Sequence, residues 1–592
     1  MPSAPTPIPA SPALAALYRY VPAIGALPTY RWLDARADFV AGLTVAAVAV
    51  PQAMAYAMVA GVEPQYGLYT AVVMTFVGAL FDSSRQLING PTNATSIAVL
   101  SATAMVADPA HRLEAVVTLG FLIALVQLGI TFLRLGDLTR YISHSVIVGF
   151  TLGAGTLLVL DQLKNLLGLT SRGSPEDHFL MRLLLTVWEG GAVHHATLAI
   201  GLSTIALVIG LRWLKERLGL LVFPELLAVV VLMAAVTGYL HLDEHGVKVV
   251  GEIPTSLPPF RVPHVNLATA REMSTSAFAI ALLGLLEALA MAKGIAQRTG
   301  QRLDLNQQCL SEGLANLSGS FFQCIPGSGS LTRSAINQQA GAATQWSGVW
   351  SAGAVLLIML LFGSWARYIP RAALAGLLIV TAWRMVDKQA LWYNVKATRF
   401  DAIIVFATAI SAVAISVEFC ILIGVFLSFM LVIPRAGRMM MTEFVVTHDH
   451  PGMVHERFAD DVADTGILVF GLEGELFFGA VPSLEPLLDT IEGRIRPETR
   501  VVVLRVKRVR NPDAIGTHML DGFVRRLHGR GVHVLLCGVR EDLNRVFVRT
   551  GLVDLIHPDH VFLEQPVRQT STAAAVRHAL TLRDKRTPRP PA

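Results

Sequence analysis

The sequence predicts a mainly α membrane protein: a seven-plus-seven inverted repeat of about fourteen transmembrane segments, followed by a compact α/β domain. Three observations predict it. Apolar runs follow one another almost without pause from Phe39 to Ile433, two of those runs are short and broken by Gly and Pro, and the composition changes after Arg438. Of the 592 residues, 53% are hydrophobic and 15% charged, with a mean hydropathy of +0.54. Soluble domains carry about 25% charge, so a water-soluble enzyme of this length is excluded, as are disorder and collagen-like structure. Cys309, Cys324, Cys420 and Cys537 stand apart, without a CxxC pair, and predict neither a disulfide framework nor a metal site. The formal net charge of +5 lies in short basic clusters between apolar runs, a pattern of membrane topology rather than of nucleic-acid binding.

Residues 1–36 read as an N-terminal cytosolic or interfacial segment, because Leu17 to Pro28 is too short and too interrupted to span. Residues 37–436 read as the transmembrane part, with apolar segments centred near residues 48, 75, 99, 122, 150, 203, 230, 285, 314, 337, 357, 378, 408 and 426. Most approach the ~20 residues needed to cross a ~30 Å hydrocarbon core. Segments 92–106 and 331–343 do not, being only about 20 Å long as helix. Each follows a break, Asn89-Gly90-Pro91 or Pro326-Gly327-Ser328-Gly329. They fall third and tenth, at equivalent places in two sets of seven. Such a pair points to an inverted-repeat transporter with its site at the bilayer midplane; two ordinary kinked spans are the alternative.

The basic residues predict the orientation. With the N-terminus inside, the inner loops hold Arg134 and Arg140, then Arg212, Lys215 and Arg217, then Lys293, Arg298 and Arg302, then Arg384, Lys388, Lys396 and Arg399. Both termini are thereby placed in the cytoplasm of a cell inner (plasma) membrane, although Arg367 and Arg371 flank an external turn. Beyond Arg438, β-branched runs at 466–470, 500–506 and 532–537 alternate with helical patterns at 482–495, 516–527 and 540–550. This predicts an α/β domain over residues 437–583, with 584–592 a Pro/Arg-rich disordered tail.

Ionisable groups inside hydrocarbon cost a few kcal/mol each and mark function or internal pairing. Glu287 sits in AIALLGLLEALAMAK, residues 279–293. It reads either as a coupling group for a proton or cation, or as an acid that only holds helices together. Arg333, just after the second break, adds a guanidinium to the positive end of a helix. With Thr92, Asn93 and Thr95 at the opposing helix start it outlines a berth for an anion; snorkelling or permanent pairing with Glu287 is the other reading. Pro51 interrupts the first segment, so that Gln52 offers an amide to a cavity and Tyr56 follows one turn later, as a lining or a packing residue. Gly149, Gly153, Gly155, Gly313 and Gly319 read as helix-packing positions.

Several of these stretches resemble the sulfate permease (SulP) family of anion transporters. They are residues 51–57 (PQAMAYA), 64–70 (PQYGLYT), Ser84-Arg85 and Gly90-Pro91-Thr92, then Asn306-Gln307 with Gly313-Leu314-Ala315-Asn316, and Gly329 to Ser334 with Gln338 to Thr344. The C-terminal region resembles the STAS domain that follows the membrane part in that family. The resemblance implies core and gate subdomains moving in alternating access, an anion between the third and tenth half-helices, and a homodimer in a lipid bilayer. It implies substrate contacts from Gln52, Tyr56, Thr92 and Asn93 and from Ser330, Leu331, Thr332 and Arg333, with Glu287 as the coupling acid. It implies no cofactor and no catalytic residue. Two positions depart from the family pattern. Met291 stands where a sodium-coupled member would have a hydroxyl, and a thioether is a poor ligand for a hard cation, so a co-transported proton is expected rather than sodium. The loop 511–516 (NPDAIG) has no serine to phosphorylate.

The expected activity is proton-coupled symport of sulfate, bicarbonate or a dicarboxylate. The alternatives are an exchanger or uncoupled channel of the same family, a nucleobase transporter of similar fold, and a membrane signalling protein acting through its STAS domain. No P-loop, H-E-x-x-H or nucleophile elbow supports an enzyme.

Overall fold

A computed structural model of the chain describes residues 12–584 except 105, 107, 135, 137–142, 175–176, 220–222, 447–452, 459–465 and 568. Arg140 and the tail beyond Asp584 therefore lie outside the described residues. The chain divides into two units, Met1–Ser428 and Phe429–Ala592.

A helix lies over each of the fourteen predicted centres. In order they are α1 (Trp32–Val59), α2 (Pro64–Phe81), α3 (Asn93–Ala102), α4 (Pro109–Phe132), α5 (His144–Leu167), α6 (His195–Leu218) and α7 (Glu225–Tyr239). The second set is α8 (Leu267–Thr299), α9 (Leu305–Phe321), α10 (Leu331–Gln339), α11 (Trp346–Phe362), α12 (Arg371–Met385), α13 (Arg399–Ala414) and α14 (Val417–Ala436). Among the described residues, seven helices are long and apolar enough to cross a bilayer by themselves, so length alone does not establish fourteen crossings. Shorter helices at Pro12–Tyr20, Phe179–Glu189 and Lys388–Ala397 lie between or before them.

The two half-helices are shorter than the apolar runs that announce them. The 10-residue α3 is closed by Thr103, whose hydroxyl turns back to Val99 O at 2.8 Å. The 9-residue α10 stops before Gly341, which turns the chain at φ +89°. The helices sort by packing into two groups. One consists of α1–α4 with α8–α11 and the other of α5–α7 with α12 and α13, while α1 also touches α7 and α12. A side chain at Gly149 would strike Val405 O at 2.4 Å, so α5 and α13 pack backbone to backbone there.

The second unit is a six-stranded sheet of order β4-β3-β5-β6-β7-β8. Its strands are β3 (Met440–Val446), β4 (Val454–Glu456), β5 (Ile467–Glu475), β6 (Val501–Arg510), β7 (His533–Val539) and β8 (Val561–Leu563). The parallel strands β5, β6 and β7 are the three predicted runs, each longer than its apolar core, and the 3-residue β8 joins them as a fourth parallel strand that no run announced. The antiparallel edge strands β3 and β4 were not legible, because one mixes polar residues and the other has 3 residues. Helices α15 (Val481–Arg494), α16 (Ala514–Gly529) and α17 (Glu541–Arg549) bury Leu488, Phe523 and Phe547 on one face of the sheet. Helix α18 (Thr570–Asp584) buries Ala575 and Ala579 on the other. In the loop without a serine, Asp513 caps α16 by accepting Gly516 N–H at 2.8 Å, and its other oxygen accepts Phe478 N–H at 2.7 Å.

Candidate functional site

The two half-helices start from one ribbon. β1 (Asn89–Gly90) and β2 (Ser328–Gly329) pair antiparallel, Asn89 opposite Gly329 and Gly90 opposite Ser328. Ser330 N–H donates to Ile88 O at 2.8 Å, and Ile88 N–H to Ser334 Oγ at 2.9 Å. The chain leaves the strands in opposite directions, directly into α3 and α10, so both helix N-termini begin at the same place. Antiparallel pairing is what an inverted repeat requires there.

Each tip is capped by its own hydroxyl. Thr92 Oγ1 accepts Thr95 N–H at 3.3 Å, and Ser330 Oγ accepts Arg333 N–H at 3.4 Å. The caps satisfy the third amide of each helix. The first two, of Asn93 and Ala94 and of Leu331 and Thr332, have no intrahelical acceptor. Four amides and two helix dipoles therefore make the junction electropositive.

Arg333 adds the only full positive charge the sequence places at either tip. Its guanidinium is 1% exposed, donates from Nη2 to Pro91 O at 2.8 Å, and leaves Nε buried without a partner. The planar group lies against Gly90, where a Cβ would come within 2.7 Å of Nη1. Gly90 also holds φ at +146°, a backbone region that side chains disfavour. Glu287 is within electrostatic range of Arg333, yet among the described residues no carboxylate forms an ion pair with it. The reading in which the two are permanently paired does not describe this structure.

Glu287 instead ties the two breaks together. Its Oε2 accepts Thr92 Oγ1–H at 3.0 Å and Ser328 Oγ–H at 2.8 Å, one hydroxyl from each repeat. The carboxylate thus occupies the hydroxyl side of the junction and leaves the four amides free. Both α8 and α1 pack against both half-helices, and α1 brings in Gln52 and Tyr56. The Gln52 amide is buried with neither its nitrogen nor its oxygen bonded. Tyr56, also buried, lies within electrostatic range of both Arg333 and Glu287. Asn93 Oδ1 and Ser96 Oγ are buried without partners as well, and Asn93 Nδ2 has only Met385 Sδ at 3.5 Å. An unsatisfied buried polar group costs about 1–3 kcal/mol, so several around one junction mark a place built to hold a polar ligand. Leu331 is 45% exposed and Thr332 and Glu287 partly so, whereas Gln52, Thr92, Asn93 and Ser330 are buried. The tip of α10 stands open and that of α3 closed.

Thr92, Glu287, Ser330 and Arg333 are thus joined through the ribbon, and Gln52 and Tyr56 approach from α1 without hydrogen bonds. Ser328, Gly90 and Ser96 complete the site and were not singled out from the sequence. Ser328 is 41 residues from Glu287, and no local pattern marks its hydroxyl as a partner.

The comparisons with known proteins agree with this architecture. The sulfate permease family model matches residues 36–408, and the STAS domain model residues 459–570. A putative sulfate transporter, YvdB, of Bacillus subtilis is 28% identical over 532 residues, covering 89% of this chain and 95% of that protein. A sodium-independent sulfate anion transporter of Bos taurus is 29% identical over 572 residues, covering 91% and 90%. The murine Solute Carrier 26 family member A9 anion transporter, in an inward-facing state, shares the fold with a TM-score of 0.83 at 21% identity, covering 98% of this chain and 96% of that one. An inverted-repeat membrane bundle, an electropositive junction of half-helices and a trailing STAS domain are together the attributes of a transporter rather than an enzyme, and this chain belongs to the sulfate permease family.

Proposed function

We propose that the chain carries a small anion (sulfate, bicarbonate or a dicarboxylate) across a cell's plasma membrane by alternating access, together with a proton held on Glu287. The observation that carries this reading is the junction itself: four helix-end amides without an intrahelical acceptor and a buried guanidinium on one side, and a carboxylate bonded to both repeats on the other. The anion takes the amides, Arg333 and the orphaned amide of Gln52. A proton on Glu287 removes a negative charge beside the anion, so each ligand favours the binding of the other.

Coupling has an energetic reason. Import against an inside-negative potential costs about 2.3 kcal/mol per charge per 100 mV, or roughly 4.6 kcal/mol for a dianion, a factor of about two thousand against accumulation. A co-transported proton offsets one charge. Sodium is a second reading, because the Thr92 and Ser328 hydroxyls are hard oxygen ligands beside Glu287; Met291, one turn on, supplies none. A nucleobase reading would call for a carboxylate where Arg333 stands. Both termini are placed in the cytoplasm on the charge bias of the loops, and the assembly is a homodimer, which crosslinking in membranes checks.

The test is uptake into liposomes holding the purified full chain, with labelled sulfate, bicarbonate and fumarate at two pH values, with and without sodium. Glu287→Gln is expected to bind anion but to lose pH-dependent uptake. Undiminished proton-driven uptake by that variant refutes the coupling role, and uracil competing where anions do not refutes the substrate class.

A further inference from the structure

We propose that Asp82 and Glu312 form a buried acid pair that holds a proton within the α1–α4, α8–α11 group and exchanges it with Glu287. This rests on the proton-coupling reading of Glu287 and extends it to a route. Asp82 follows the last residue of α2 and Glu312 lies mid-way along α9; both are 0% exposed. Asp82 Oδ1 accepts from Asn89 Nδ2 at 3.2 Å, Gln308 Nε2 at 2.6 Å and Ser311 Oγ at 2.6 Å. Asp82 Oδ2 accepts nothing. Neither oxygen of Glu312 has a donor within hydrogen-bond distance, the Gln308 amide one turn back lying near enough only to favour its charge, and Asn89 Oδ1 is orphaned beside Asp82. Four sealed acceptor atoms without a donor are the wrong inventory for two ionised carboxylates. One acid hydrogen held by the pair is a donor they lack.

Among the described residues the surroundings supply no cation. Asp82, from the end of α2, and Glu287, from α8, are the charged groups within electrostatic range of Glu312. Helix α4 presents the neutral Gln127, and α9 itself the neutral Gln308, Ser311 and Asn316. Polar groups of α9 and of the second break lie between Glu312 and the junction, without a hydrogen bond to the Glu312 carboxyl. Asn316, one turn on, donates to the main-chain O of Glu312 at 3.1 Å and to Gln127 Oε1 at 3.0 Å, and accepts Gly327 N–H at 3.1 Å. The next residue, Ser328, donates to Glu287. In the other direction Asp82 adjoins half-buried Ser83 and exposed Arg85, at the end of α2 that the charge bias places inside.

The exchange balances. A proton arriving on Glu287 with the anion passes to Glu312, through the Ser328 hydroxyl or a water, as the pair's own proton leaves Asp82 for cytoplasmic water. One acid becomes a carboxylate as its neighbour becomes an acid, and no net charge is stored. The anion's route is separate.

Full-length protein in liposomes with a trapped pH dye and a sulfate gradient tests this. Glu312→Gln and Asp82→Asn/Glu312→Gln are expected to slow sulfate-driven proton flux by roughly tenfold or more, and Glu312→Asp to restore most of it. Sulfate counterflow, which moves no net proton, reports that each variant is folded. The infrared carbonyl stretch of a protonated carboxyl at neutral pH is expected in the wild type and in Glu287→Gln, and is lost in the double variant. Wild-type proton flux in Glu312→Gln, with flux abolished in Glu287→Gln, overturns the relay and leaves the coupling reading standing. Proton flux surviving in Glu287→Gln overturns the coupling reading, and the infrared band then decides the pair's proton alone. An unchanged band in the double variant overturns the pair.

Discussion

The two units bury opposite things. In the described part of the second unit, the wholly apolar cluster around Phe470, Leu504, Phe523 and Phe547 has only the hydroxyl residues Thr499, Thr517, Ser571 and Thr572 as buried polar company. The first unit buries Asp38, Asp82, Asp161, Glu225, Glu312 and Arg333 as well as a run of amides. A water-exposed domain gains stability by sending charges outward. A lipid-facing bundle has no such exit, so every ionisable residue not at its ends must turn inward. Most of these find partners. Asp38, for example, accepts Ala343 N–H at 2.7 Å and Thr344 N–H at 3.0 Å and so fastens α1 to the end of α10. Among the described residues of the first unit, Gln52, Asn93, Arg333 Nε and the Asp82–Glu312 pair keep unbonded atoms in the group of helices that carries the half-helices, and Arg212 Nη1, Thr237 and Thr408 do so singly in the other group. The contrast teaches that buried charge in the first unit is ordinary, and that several unbonded charged and amide groups gathered around one junction are what mark the site.

If that is right, the largest effect comes from Arg333. Arg333→Gln keeps a donor toward Pro91 O but removes the charge from the junction, and is expected to weaken anion binding by about 10–100-fold; binding measured in detergent and uptake in liposomes both report it. An equally large loss in membrane insertion or fold instead of binding would turn Arg333 into a structural residue like Asp38. Gly90→Ala is next. It forces a side chain into φ +146° and against Nη1 of Arg333, at a cost of about 1–3 kcal/mol, and displaces the guanidinium. A lowered melting temperature with weakened uptake is expected, and unaltered uptake would separate the ribbon from the site.

Gln52→Leu sharpens the comparison with opposite signs. Removing an orphaned amide should raise stability by about 1 kcal/mol while lowering anion affinity, whereas a residue that only packs would lose neither or both. The smallest effect belongs to the second unit. Burial first, then His578, His533 and His557, hold the His560 imidazole down at about 4. The unfolded chain takes up its proton near 6.5, before the folded chain does. The contribution of His560 is therefore whole above about pH 6.5 and is lost as pH falls toward 4. Because His560 is only partly buried, screening keeps the effect modest. Hydrogen exchange in β7 and β8 of the full chain should quicken between pH 7 and 5, and His560→Phe should flatten that response.

Much of the first unit was legible because its signals are local. A run of apolar residues and a Gly/Pro break can each be read within a few residues, and they located α3 and α10. Arg333 and Glu287 stood out because hydrocarbon makes any charge conspicuous. What was not legible depends on partners far along the chain. The sequence offered permanent pairing of Arg333 with Glu287 as one outcome; the carboxylate turned to Thr92 and Ser328 instead. In the second unit β3, β4 and β8 were missed because short or polar-mixed strands owe their pairing to neighbours more than to their own residues.

Composition and periodicity by themselves determined that the chain is a membrane bundle with an α/β appendage, that two of its helices are halves, and that an acid and an arginine lie near them. These follow from the cost of exposing polar groups to lipid, which every residue meets independently of its neighbours. Only the tertiary structure decided that the half-helices share one antiparallel ribbon, that a single carboxylate oxygen serves both repeats, and that Gln52, Asp82 and Glu312 are left with unbonded atoms. Whether a buried polar group is satisfied depends on a donor a few ångströms away in space and often hundreds of residues away in sequence, and that distance is set by packing alone.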